Sequence, residues 1–106
     1  MQKYIYVAML NAAPGADDAL NAWLDDKHLP EQLRTPGFLR VTRYELVEDG
    51  SSKAARPQRY LHIYEIETDD LAATQAALAA GRPQRTPVPA ALDMGSAFAA
   101  YYKVRG

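Results

Sequence analysis

Two stretches of this chain carry apolar or aromatic side chains on both alternating faces, and two others keep theirs at helical spacing. Lys3 to Leu10 sets Tyr4, Tyr6, Ala8 and Leu10 against Ile5, Val7 and Met9. Tyr60 to Glu67 sets Tyr60, His62, Tyr64 and Ile66 against Leu61 and Ile63. Together with Phe38 to Val47 and Ala97 to Val104 these read as four strands, because β-branched and aromatic residues suit a pleated surface. Asp17 to about Lys27 predicts a helix. Leu20, Leu24 and His28 lie four apart and share its inward face, with Trp23 beside them and Asp25, Asp26 and Lys27 toward water. Pro30 has no N–H and disfavours the helical conformation at Leu29, so a break is expected there, with Pro30 to Leu33 as a short second piece. Leu71 to Ala80 predicts a second helix, mostly alanine. Thr68-Asp69-Asp70 supplies its N-cap and an acidic first turn, and Gly81 closes it. Ala12-Ala13-Pro14-Gly15 and Thr35-Pro36-Gly37 are turns, with Gly37 expected at positive φ. Asp49 to Pro57 reads as a mobile polar loop. Arg82 to Asp93, which holds three prolines, reads as an extended connection.

The order βαββαβ predicts an α+β fold over a single domain, 1–106: a ferredoxin-like, four-stranded antiparallel sheet with both helices on one face. Its first and third strands are expected at the centre, parallel to each other, and right-handed crossovers leave few alternatives. Two helices cover one face only. The other face is also apolar, and a lone sheet would expose more of it than monomers tolerate. A symmetric homodimer packed sheet to sheet resolves this.

The remaining totals narrow the partners. A 48% share of hydrophobic residues in 106 supports one packed core rather than disorder. Net charge is −1, with Lys and Arg scattered, so nothing resembles a phosphate-binding stripe and nucleic acid is set aside. No apolar run approaches the roughly 20 residues that span a bilayer, so no membrane partner is expected. The opening MQKYIYVAML is too short and regular for a signal peptide. Cysteine is absent, which removes disulfides, thiolate catalysis and Cys-based metal sites. A cytoplasmic location is the default.

The chain resembles the dimeric α/β-barrel superfamily, which includes small polyketide cyclases, muconolactone isomerase-like proteins, cofactor-free monooxygenases and EthD-like proteins. EthD-like members come closest. They carry a Trp-rich first helix, a His-x-Pro motif and a Pro-Gly turn into the second strand. Here those elements are Trp23, His28-Leu29-Pro30-Glu31 and Thr35-Pro36-Gly37-Phe38. Thr42-Arg43-Tyr44-Glu45 and Tyr60-Leu61-His62-Ile63-Tyr64-Glu65 also match in character. The likeness spans nearly the whole chain as fold, but its sharp part is about 25 residues, so it bears on fold more than on reaction. It implies a pocket between sheet and helices, onto which His28 would open. Some relatives bind haem through a histidine, a role either histidine here would have to fill. The expectation for this chain is no cofactor.

His28 is the leading candidate for chemistry, since an imidazole near pKa 6.5 exchanges protons at neutral pH. The competing reading is a helix-terminal histidine that satisfies free carbonyls or pairs with Glu31. Tyr60, His62 and Tyr64 form a polar-aromatic stripe that either lines the pocket or fills the barrel, and Tyr4 and Tyr6 are similar. Tyr64 or His62 would polarise a substrate carbonyl. Asp25 either touches His28 or stays solvated. His28, Glu31 and His62 make a poor two-His, one-carboxylate metal site, and no metal is expected. Arg82, Arg85 and Thr86 belong to a solvated loop or to a lid that binds a carboxylate or phenolate. The function expected is a cofactor-free lyase, cyclase or isomerase acting by acid–base chemistry on a small hydrophobic, aromatic or polyketide-like metabolite. Its catalytic residues would be His28, His62 and Tyr64, and its substrate-binding residues Tyr6, Trp23, Leu24, Phe38 and Arg85. Two alternatives stand beside it: a cofactor-free monooxygenase and a non-catalytic carrier.

Overall fold

The computed structural model describes residues 1–51 and 57–106. Much of the expected polar loop therefore lies outside the described residues. Strand β1 (Gln2–Leu10), β2 (Phe38–Glu45), β3 (Tyr60–Thr68) and β4 (Phe98–Lys103) form one four-stranded sheet in the order β2-β3-β1-β4. All three pairings are antiparallel. The central strands β1 and β3 are thus antiparallel, not parallel as the sequence reading had it. The reason is topological. The helical crossover makes β1 and β2 parallel, and β3 returns alongside β2 in the opposite sense before inserting between them.

The β1–β3 register, from Gln2↔Thr68 to Leu10↔Tyr60, decides which side chains share a face. Tyr6 pairs with Tyr64 and Tyr101, and Ala8 with His62 and Ala99. These lie under the helices with Leu10, Tyr60 and Ile66. Ile5, Val7, Met9, Leu61 and Ile63 point to the opposite face. Phe98, Tyr102 and Tyr44 extend that face and are 43%, 49% and 49% exposed.

The first helical path is continuous through Pro30. Helix α1 (Asp17–Trp23) widens into a π-helical turn (Leu24–His28) and resumes as α2 (Leu29–Gln32). Leu29 keeps helical angles, φ −65° and ψ −46°, so the expected break at Pro30 does not occur. The distortion lies upstream instead. The Leu29 N–H donates to the Leu24 carbonyl, five residues back. The wider turn leaves room for the proline ring against the preceding turn, so the helical path absorbs Pro30 without breaking. Leu20 and Leu24 are fully buried from this path, and Trp23 and Leu29 pack beside them onto Leu10, Phe38, Tyr60, Tyr64 and Ile66.

Helix α3 (Leu71–Ala80) has the predicted bounds. Asp70 is its cap, accepting from the Ala73 N–H at 3.1 Å, and the first turn carries no acid, unlike the expectation. Thr74 is its buried residue. It approaches Gly37, which has φ +95°; a Cβ there would lie 3.2 Å from the Glu67 carbonyl. A side chain is therefore disfavoured twice at this turn. Gly81 ends α3 with φ −78°, not left-handed, and leads into a 3-10 turn (Arg82–Gln84). The following segment runs back along the sheet edge. Ala13 N–H donates to the Ala91 carbonyl at 2.8 Å and Asp93 N–H to Asn11 at 3.0 Å. A second 3-10 turn (Met94–Ser96) delivers the chain to β4. Among the described residues, no helix is long and apolar enough to cross a membrane.

Candidate active site

A cavity of about 660 Å³ lies between the helix-covered face of the sheet, the π turn and the proline-rich segment. Tyr6, Ala8, His62 and Tyr64 form its sheet wall. Trp23, His28 and Gln32 come from the helical path, and Arg82, Arg85 and Thr86 from the segment after α3. Its size suits a small organic ligand.

The π turn decides where His28 points. In a regular helix His28 would follow Leu24. Here five residues complete about one turn, and the ring stacks on Trp23 instead, centroid to centroid 4.4 Å at 22°. Burial, then the Arg85 charge, lowers its pKa to about 4, against a weaker opposing pull from Glu31. His28 is therefore a neutral imidazole at neutral pH, not a half-protonated one.

His62 is 1% exposed and also neutral; burial first, then Arg43 and His28, lowers its pKa to about 4, with Asp25 opposing. Arg43 Nε donates to His62 Nε2 at 3.1 Å. The guanidinium is held in turn by Asp25 at 2.8 Å and by the Asn21 side-chain carbonyl. Asp25 thus serves Arg43, not His28. Asn21 also donates to the Tyr60 hydroxyl at 3.2 Å, which donates to Asp17 at 2.7 Å. Tyr60 is spent on this network and does not reach the cavity.

The phenols of the site stay protonated. Burial raises Tyr64 well above the ordinary tyrosine range, helped by Tyr6 and opposed by a Gln32 hydrogen bond and by Arg85. Burial also raises Tyr6, against Arg82 and Arg85, and carries Tyr101 up to about 12. Tyr6 stacks on Tyr101 at 4.4 Å and meets Tyr64 at 5.6 Å. They offer hydroxyl donors and flat surface, not phenolates. Tyr4 lies apart, its hydroxyl donating to Gln2 at 2.9 Å.

Of the residues expected at the site, His28, His62, Tyr64, Tyr6, Trp23 and Arg85 come together on the cavity wall. Leu24 and Phe38 do not. Leu24 is 0% exposed within the core, and Phe38 packs edge-on behind Tyr6 and Tyr64. They back the wall without touching its contents. Glu31 is engaged elsewhere: its carboxylate accepts from the Thr86 N–H at 2.8 Å and hydroxyl at 2.7 Å, which lowers its pKa and pins the segment after α3 to α2. Arg85 also donates to the Leu78 carbonyl at 2.6 Å. Among the described residues no cluster of three or more His, Asp or Glu is placed to hold a metal ion. Haem iron would find no nitrogen on His62, because Arg43 occupies Nε2 and Nδ1 is buried; His28 is the ring facing the cavity. Sequence reasoning missed Arg43, Gln32 and the Glu31–Thr86 contact. Arg43 pairs across the ladder with His62, a signal visible only once the β2–β3 register is known.

No protein-family model matches the chain, and no curated protein matches it in sequence. Solved structures do match in shape. A candidate monooxygenase from Shewanella loihica PV-4 superposes with TM-score 0.65 and 10% identity, over 99% of this chain and 96% of its own. The heme-degrader MhuD of Mycobacterium tuberculosis, with two hemes in its active site, gives 0.63 and 17% over 95% and 94%. A dimeric ferredoxin-like protein of unknown function from Jannaschia sp. CCS1 gives 0.59 and 16% over 96% and 99%. At these identities the likeness shows a shared ferredoxin-like α+β fold.

Proposed function

We propose that this protein is a cofactor-free enzyme that removes a proton from a flat, enolisable aromatic or polyketide-like metabolite, with His28 as the base. The observation that carries the reading is the neutral His28 ring stacked on Trp23 in the wall of a cavity floored by tyrosines. A base whose conjugate acid has a pKa of about 4 is free at neutral pH but weak. It suits a substrate whose anion the site itself stabilises. Arg82 and Arg85 supply positive charge, and the protonated Tyr6 and Tyr64 supply donors. The imidazolium formed on proton transfer faces that anion in a poorly solvated space, which strengthens their attraction. Isomerisation, cyclisation, elimination or decarboxylation would follow from the same anion.

The second reading is a cofactor-free monooxygenase, in which that carbanion reduces dioxygen. It is favoured by the name of one structural neighbour, a candidate monooxygenase. The EthD-like assignment rests on Trp23, His28-Leu29-Pro30-Glu31 and the Thr35-Pro36-Gly37 turn. We place the protein in the cytoplasm as a homodimer. The apolar open face of the sheet and the dimeric Jannaschia neighbour support the dimer. Incubation with 2-tetralone in D2O tests the reaction class. Deuterium entering the acidic carbon faster than in buffer, without oxygen uptake, supports the proton-transfer enzyme. Oxygen consumed in step with product supports the monooxygenase. Tight binding with neither leaves a carrier.

A further inference from the structure

The cavity wall is unbalanced in charge. Among the described residues its lining holds Arg82 and Arg85 but no Asp or Glu. Burial keeps His28 and His62 neutral and the Tyr6 and Tyr64 phenols protonated. Neither arginine meets a carboxylate among the described residues. Both oxygens of Glu31, on the adjoining α2, accept from Thr86 instead. The backbone aligns the two arginines. Arg85 N–H donates to the Arg82 carbonyl at 3.1 Å and closes the 3-10 turn. Side chains three apart in such a turn lie one over the other. Their charges act together on the Tyr6 phenol, against the rise that burial causes. Arg85 is also seated. Its Nη2 donates to the Leu78 carbonyl at 2.6 Å, near the end of α3. Gly81 has φ −78°, which any residue adopts, so its backbone does not call for glycine. A Cβ there would lie 2.8 Å from Arg85 Nη1. The missing side chain is what lets the guanidinium lie against the helix end. Arg85 is half-buried there and gives one of its five N–H donors to a neutral carbonyl, which leaves the charge itself unanswered.

We propose that Arg85, with Arg82 aligned beside it, binds a carboxylate that the ligand carries on arrival, so that the cavity selects small aromatic carboxylic acids. A guanidinium fork matches a carboxylate in shape as well as charge. The rest of the wall, with Trp23, Leu78 and Leu92, calls for an apolar body behind that group, which a free inorganic anion lacks. The inference rests on the reading that this cavity holds a flat metabolite, and narrows that metabolite to an acid. It does not depend on His28 as the base. The enolate exists only after proton transfer, whereas the carboxylate is present before it. Arg85 here is a binding residue, and Gly81 positions it.

Two measurements on the full chain test it. The first is calorimetric binding of 2-naphthoate, 2-naphthamide and 2-naphthol at neutral pH. The amide has the shape of the acid without its charge, and the naphthol is a second neutral reference. Naphthoate should bind at least about tenfold tighter than either, the worth of one charge-assisted pair. Arg85→Gln should erase most of that gap while the amide binds as before. Equal binding by the wild type, or a gap that survives Arg85→Gln, overturns the proposal. The second is a crystal structure of the naphthoate complex. A carboxylate oxygen within hydrogen-bond distance of the Arg85 guanidinium supports the assignment, and a carboxylate turned away from Arg85 overturns it. Deuterium exchange into 2-tetralone, a neutral ketone, reads His28 separately, so the acid subsite can fail while base catalysis stands, and the reverse. If none of the three naphthalenes binds, the subsite and the cavity reading fall together. The wild-type affinities keep the proposal testable should Arg85→Gln fail to fold.

Discussion

The helical path from Asp17 to Gln32 changes geometry twice, whereas α3 runs ten regular residues with clean ends. The first path buries Leu20, Trp23, Leu24 and Leu29, carries His28 to the cavity, and reaches Arg43 through Asn21 and Asp25. The second buries Thr74 and presents Ala72, Ala73 and Ala76 to solvent. Regular geometry here accompanies light packing and no chemistry beyond the Arg85 contact at its end. The π turn, by contrast, trades an ordinary hydrogen-bond pattern for a new side-chain alignment, Trp23 over His28. π turns of this kind are commonly found at functional sites. The difference teaches that in this fold the local distortion, not the element, creates the site.

The largest way to break this contrast is Trp23→Ala. Removing a buried indole should destabilise the fold by about 3–5 kcal/mol, read by urea unfolding, and should unstack His28. A loss below about 1 kcal/mol would show that the first path is no better packed than α3. An effect of middle size comes from pH. His28 and His62 are held near pKa 4 in the fold against an ordinary 6.5, so between those values the unfolded chain binds more protons. Their contribution to stability is intact above about pH 6.5 and declines as pH falls toward 4. The Tm should drop across that window, and less so in a His28→Gln, His62→Gln double variant. A Tm that rises on acidification would contradict two neutral buried rings. The smallest effect belongs to α3. Asp70→Ala removes the cap bond to Ala73 and should cost about 1 kcal/mol, seen as faster amide exchange in the first turn of that helix.

Legibility in the sequence follows the same division. The bounds of α3, the positive φ of Gly37, the strand set and the two-sided apolar sheet were all readable, because each depends on local pattern or turn chemistry. The relative direction of β1 and β3 was misjudged, since it depends on the path of the whole chain. The passage of the helix through Pro30 was also missed. A π turn has no composition signal, and a proline rule applied locally predicts a break. For the site, six of the eight expected residues meet in the cavity: strand alternation put Tyr6, His62 and Tyr64 on one face, whereas the π turn and the segment after α3, neither of them readable, bring in His28 and Arg85. Leu24 and Phe38 fall one layer behind. Arg43 lies on β2, Gln32 on α2 and Thr86 in the irregular segment after α3, and only the tertiary fold brings them near His62, Tyr64 and Glu31.

The central claim is that the His28 imidazole removes a proton from a carbon acid held in the cavity. The direct measurement is the rate of deuterium incorporation into 2-tetralone by wild type and by His28→Ala at matched folding, judged by circular dichroism. A fall of about 100-fold or more in the variant, with 2-naphthol binding retained, is the result the account predicts. Exchange by the variant at the wild-type rate, or no exchange above buffer by the wild type, would contradict it.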